Sequence, residues 1–140
     1  MKKIKHARHI AKAITWRIIG TLDTMLLGWL VTGNMYVGLK IGLLELFTKT
    51  LLYYFHERIW YRLIRIESAK SNLRHVLKAI TWRLVGTIDT MLIGWITTGN
   101  FKIGFTIGGF ELLTKTILYY IHERFWHRSN FGIVTTAFEK

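Results

Sequence analysis

The chain has 140 residues, 51% of them apolar, with 20 Lys and Arg against 8 Asp and Glu, a net charge of +12 and a mean hydropathy of +0.25. This apolar content excludes a disordered chain, and the absence of Cys excludes a disulfide framework, a thiolate metal site and a Cys nucleophile. High hydropathy beside high charge requires the charges to be segregated, and six Trp, twelve Gly and no Pro suit helices in close contact.

The chain is an internal duplication. A shift of 66 residues aligns Arg8–Arg62 with Arg74–Arg128 at 35 identities in 55 positions without a gap. KAITWR stands at 12 and 78, TGN at 32 and 98, and TKT-x-LYY-x-HER-x-W at 48 and 114. The organisation is therefore repeat one, 8–62; a linker, 63–73; repeat two, 74–128; and a tail, 129–140, without a counterpart.

A basic start (Lys2, Lys3, Lys5, Arg8, Lys12) leads into the first apolar segment, Ile14–Val31, whose only charges are Arg17 and Asp23. A soluble amphipathic helix would carry charges along one whole side, and this one has no such side. Thr32-Gly33-Asn34 is a turn signal, and the second segment runs from about Val37 to Phe55 before the aromatic and charged HERIWYR. Repeat two supplies Ile80–Thr97 and Ile103–Ile121. At 1.5 Å per residue such segments cross about 30 Å of hydrocarbon. The first segment is not a cleaved leader, because the same sequence recurs internally.

The expected fold is all-α and integral to the membrane: four transmembrane helices arranged as two tandem parallel helical hairpins. An even number of spans per repeat points both copies the same way. Basic residues set the orientation. They gather at the N-terminus, around the linker (Arg58, Arg62, Arg65, Lys70, Arg74, Lys78) and at Arg124 and Arg128, whereas the turns hold only Lys40 and Lys102. By the positive-inside rule both termini are cytoplasmic in a bacterial inner membrane, with Tyr53, Tyr54, Trp60, Tyr119, Tyr120 and Trp126 expected in an interfacial belt.

Charges inside the spans are the candidate site. Asp23 lies about 13 Å in from Thr32 and Glu45 about 12 Å in from Val37, so they share a level near mid-membrane. Lys49 sits four residues beyond Glu45, on the same helix face, and Arg17 is deeper still. Asp89, Glu111, Lys115 and Arg83 repeat the set, so each repeat offers two acids and two bases that compensate each other. Ionisable groups in a bilayer face protein or a cavity, and this network suits either an ion pathway or polar glue between helices. Eight such groups in four helices leave little interior to hide them, which favours a homo-oligomer or a membrane partner. Gly20, Thr24, Gly28, Gly38 and Gly42, with Gly86, Thr90, Gly94, Gly104 and Gly108, support close helix contact; Thr21, Thr48 and Thr50 fit either a bond to their own helix or a polar path.

His56-Glu57-Arg58 and His122-Glu123-Arg124 fall at the cytoplasmic interface at one depth. Anchoring to lipid phosphate is the favoured role over a shared metal between the two His, so no metal and no cofactor is assigned. No HExxH, nucleophile elbow, phosphate loop or CxxC is present, so no catalytic residue is assigned and an enzyme is not expected. The cations bracket apolar segments, which fits anionic lipid headgroups and disfavours nucleic acid.

At KAITWRIIGTLDT and ELFTKTLLYYFHERIW the chain resembles a family of small predicted bacterial inner-membrane proteins of unknown function, domain of unknown function 2061, in two tandem copies. Trp16, Arg17, Asp23, Glu45, Lys49, His56, Glu57 and Arg58, and the residues 66 further on, carry that resemblance. It implies location and architecture but no activity. The leading expectation is a small oligomeric transporter or channel, proton- or anion-handling, and the alternative is a non-transporting scaffold or accessory subunit.

Topology is directly testable because the chain lacks Cys. A single Cys placed at Asn34 or Asn100 should react with an impermeant maleimide from the periplasmic side of spheroplasts; labelling only after the cytoplasm is exposed would reverse the orientation.

Overall fold

The computed structural model describes residues 2–4, 6–63 and 71–135. Most of the expected linker and the last five residues of the tail lie outside the described residues. The element order is β1 (Lys2–Ile4), α1 (His6–Thr32), α2 (Met35–Leu63), α3 (Ser71–Thr98), α4 (Phe101–Arg128) and β2 (Ile133–Thr135).

The helices have 27 to 29 residues and so span about 40 Å or slightly more. They outrun the apolar segments at the end opposite the turns: α1 starts at His6, and α2 continues through HERIWYR to Leu63 instead of stopping at Phe55. Nothing there breaks a helix. The stretch has no Gly or Pro, and Glu and Arg favour helical backbone.

The TGN turns work through all three residues. Gly33 and Gly99 adopt φ +70°, closing α1 and α3 with bonds from their N–H to the Trp29 and Trp95 carbonyls at 2.8 and 2.7 Å. Asn34 Oδ1 accepts from the Tyr36 N–H at 2.9 Å and Asn100 Oδ1 from the Lys102 N–H at 2.9 Å, capping α2 and α4. Thr32 donates back to the Gly28 carbonyl at 2.6 Å and accepts from the Asn34 N–H at 3.2 Å.

The four helices form a ring in which α1 packs on α2, α2 on α3, α3 on α4, and α4 back on α1. Within each hairpin the contact is backbone to backbone. A Cβ on Gly28 would come within 2.9 Å of the Gly38 Cα, and one on Gly38 within 2.6 Å of the Trp29 nitrogen and closer still to the Met25 carbonyl; Gly94 and Gly104 repeat this in the second hairpin. The four helices make the fold all-α, and one short strand pair joins its ends. β1 and β2 pair antiparallel, Lys2 opposite Thr135 and Ile4 opposite Ile133, tying the two ends of the chain together. The β-branched run Ile133-Val134-Thr135 is the local reason.

The ring is apolar outside and polar inside. Leu30 is 66% exposed and Ile96 78%, whereas Asp23, Thr24, Glu45, His56 and their counterparts are buried. A protein stabilised in water does the reverse. Near the turns the interior closes on an apolar plug of Leu27, Ile41, Ile93 and Ile107. Among the described residues, α1 is the helix with an 18-residue window apolar enough to cross a membrane; the other three helices do not meet that measure.

The close approach gives a stability test. Gly38→Ala or Gly104→Ala should destabilise the purified protein by about 1–3 kcal/mol or more, because backbone must move. Gly109→Ala, which meets nothing within 4 Å, should be neutral or slightly stabilising in the same detergent melt.

Candidate functional site

Glu45 and Lys49 are one turn apart on α2, as are Glu111 and Lys115 on α4, and the two pairs face each other across the ring. They form one square. Lys49 Nζ pairs with Glu45 Oε1 and reaches Glu111 Oε1 at 2.6 Å; Lys115 Nζ pairs with Glu111 Oε1 and reaches Glu45 Oε1 at 2.7 Å. Each ammonium has a third proton to place, and the Thr90 and Thr24 hydroxyls accept it at 3.0 and 2.9 Å. All three Lys donors are thereby used. The carboxylates are less complete: Glu45 Oε2 and Glu111 Oε2 are buried without a partner among the described residues.

Small residues make the square possible. The Lys115 side chain lies over Gly20, with its Cε 3.7 Å from where a Cβ would stand, and Lys49 lies over Gly86 at 3.6 Å. Thus Gly20 and Gly86, expected as helix-contact residues, instead admit a lysine from the other repeat.

Asp23 and Asp89 stand apart from the square. Asp23 Oδ2 accepts from the Thr114 hydroxyl and Asp89 Oδ2 from the Thr48 hydroxyl, both at 2.8 Å and both across repeats. The expected Glu45–Lys49 pair on one helix face is present, and so is Glu111–Lys115. What is corrected is the closing of that network by Asp23 and Arg17 of the same repeat, since the further links of Lys49, Lys115, Asp23 and Asp89 cross between repeats and among the described residues Arg17 and Arg83 join no ion pair. The two Arg point into a cavity of about 670 Å³ on the side of the square away from the turns. Its lining is two-fold: Trp16 with Trp82, Arg17 with Arg83, and Tyr53 with Tyr119.

The HER ends are separated as well. The His56 ring sits against α3, its Nε2 2.9 Å from the Thr81 hydroxyl, and Trp60 Nε1 donates to the same hydroxyl at 3.1 Å. His122 sits against α1, its Nε2 2.9 Å from the Thr15 hydroxyl and accepting from Trp126 Nε1 at 3.0 Å. The two His thus belong to opposite interfaces and do not meet, because α2 and α4 are diagonal in the ring. Among the described residues no group of three or more His, Asp or Glu comes together as a metal site. Glu57 pairs with Lys78 at 2.5 Å and Glu123 with Lys12 at 2.6 Å, while Arg58 and Arg124 extend outward to Tyr54 and Tyr120. Of the residues expected in an aromatic belt, Tyr53, Tyr54, Tyr119 and Tyr120 are exposed, with Tyr53 and Tyr119 edge-on to Trp82 and Trp16 at centroid distances of 5.2 Å, whereas Trp60 and Trp126 bond inward.

This geometry, twice repeated and inside-out, meets its counterpart in a family comparison. The family described as "Predicted membrane protein (DUF2061)" matches residues 10–61 and again 76–127. The chain belongs to that family. No curated protein and no solved structure matches it. Each matched region carries one Glu–Lys pair of the square and one HER end.

Two features escaped the sequence. Thr15, Thr24, Thr81, Thr90 and Thr114 all act as partners of charged or aromatic side chains, and their recurrence 66 residues apart was the only available signal. The square itself fits inside a single chain: Glu45 and Glu111 are 4% and 3% exposed, because facing helices share it. Of the three threonines left open, Thr48 binds Asp89, Thr50 bonds its own helix at the Leu46 carbonyl, and Thr21 lines the cavity.

The HER ends, beyond the apolar segments, carry a pH signature. Burial lowers the pKa of His56 and His122 below the ordinary 6.5. The folded state therefore binds the proton less well than the unfolded one, so its contribution is complete above about 6.5 and lost as pH falls toward the folded value. Hydrogen bonds from Lys78 and Lys12 hold Glu57 and Glu123 below 4.5, so their contribution fades only at lower pH. Thermal melts in detergent should fall by a few degrees between pH 7.5 and 5.5, and His56→Gln/His122→Gln should flatten that slope; an unchanged slope would refute the assignment.

Proposed function

We propose that this chain is a multi-pass inner-membrane protein, both termini cytoplasmic, whose ring encloses a route for a small ion. No chemistry is performed on the solute. The apolar outer face contacts lipid, and the basic helix ends rest among anionic headgroups. The observation that carries the reading is the position of the Lys–Glu square: it forms the floor of a cavity to which both repeats contribute matching residues, with the Ile41 and Ile107 plug behind it. A cavity that reaches paired charges at mid-membrane is how a bilayer protein offers an ion a polar path.

In this state the path is closed. Both ammonium groups are saturated and the plug is fully buried, so conduction requires the square to exchange partners, and the unpartnered Glu45 Oε2 and Glu111 Oε2 are the atoms able to take up a proton or a cation as it does so. The saturated lysines also support a second reading from another class, in which the square is glue for a scaffold or accessory subunit.

Flux separates the two. In liposomes holding a pH-sensitive dye, under imposed proton and anion gradients, the wild type should dissipate a gradient. The charge-balanced variant Glu45→Gln/Lys49→Gln/Glu111→Gln/Lys115→Gln should lose at least tenfold while still reconstituting, because removing both partners of each pair leaves no member of the square uncompensated. Absence of flux in the wild type under every gradient would overturn the route and favour the scaffold.

A further inference from the structure

We infer that the cavity above the square is a binding site for a small organic dianion, with one acidic group held by Arg17 and the other by Arg83.

The charge of the lining leads there. Arg17, Arg83, Lys49 and Lys115 are faced by only Glu45 and Glu111, so the cavity carries two surplus positive charges. The lysines are not their source, since each spends its donors on both glutamates and a threonine. The surplus belongs to the two guanidinium groups, which among the described residues pair with no carboxylate. Asp23 and Asp89 do not supply the balance at close range: they lie six residues further along α1 and α3, about 9 Å, beyond the square and already accepting from Thr114 and Thr48. Arg17 is exposed and Arg83 half-buried where they line the cavity, so both forks are open to a ligand, and a guanidinium presents a planar fork that matches a carboxylate or phosphate in two bonds.

Size and walls select the class. About 670 Å³ falls in the range of small-molecule sites, roughly 300–1,000 Å³, and is far larger than a bare inorganic oxyanion fills. Trp16 and Tyr119 on one side, and Trp82 and Tyr53 on the other, give aromatic walls suited to a carbon skeleton. The two Arg are equivalent under the 66-residue repeat, so the ligand that satisfies both carries an acidic group at each end. The site rests on the membrane ring proposed above but not on its transport activity.

Isothermal titration of the full chain in detergent tests this with benzene-1,4-dicarboxylate, benzoate and sulfate as probes. The dicarboxylate should bind once per chain, at least tenfold more tightly than either the monoanion or the compact dianion. Arg17→Gln and Arg83→Gln should each weaken it tenfold or more, whereas Lys40→Gln, at the exposed start of α2, should leave it unchanged. If an Arg variant fails to fold, protection replaces it: the dicarboxylate should shield Arg17 and Arg83 of the wild type from phenylglyoxal, mapped by mass spectrometry. Equal affinity for sulfate, affinity no better than benzoate, binding indifferent to the Arg substitutions, no protection, or no binding at all would each overturn the inference. Dianion binding by a protein without flux would uphold the site and overturn the route; flux without dianion binding would do the opposite.

Discussion

Two lysines and two glutamates inside an apolar-clad ring can persist only together. Lys49 and Lys115 each contact both Glu45 and Glu111, so no charge in the square has a single partner. Buried ion pairs gain little net stability over an apolar core, but losing one member leaves an uncompensated charge at a cost of about 3–5 kcal/mol. That asymmetry makes the square a device for specificity. A hairpin of one repeat alone would leave its Lys with one carboxylate and no threonine from the opposite repeat, so the two repeats are driven to close the ring and to do so in register.

The register then sets everything around it. Because Gly20 and Gly86 admit the lysine stems, the α1–α4 and α2–α3 interfaces carry polar side chains where the hairpins carry backbone contact. Thr114 and Thr48 reach Asp23 and Asp89 at these interfaces, and at the far end His122 and His56 settle on Thr15 and Thr81.

The two-fold is broken at the ends. Arg8 donates to the Trp126, Ser129 and Phe131 carbonyls and stacks on the Trp126 ring at 5.5 Å, satisfying acceptors that the last turn of α4 leaves open. With β1 on β2 this clasps α1 to α4. At the equivalent interface the chain itself joins α2 to α3, so a covalent link does there what Arg8 and the strand pair do here.

The duplication, the turn at Thr32-Gly33-Asn34 and the identity of the charged residues were legible in the sequence, because each is local: a repeat is seen by shifting the chain, and a Gly at φ +70° followed by a capping Asn is written in consecutive residues. Helix ends were less so, since HERIWYR looked wet while nothing in it stops a helix. The sequence by itself determined that Asp23, Glu45, Lys49 and Arg17 share a hairpin of two largely apolar segments and that a second hairpin copies it. Only the tertiary structure decided who pairs with whom. Placing α2 diagonal to α4 lets Lys49 take Glu111, leaves Arg17 and Arg83 facing a cavity, and sends His56 and His122 to opposite interfaces. Spacing along one helix fixes depth and face, but the partner across a ring depends on which helices become neighbours, and two identical hairpins offer the same residues to either arrangement.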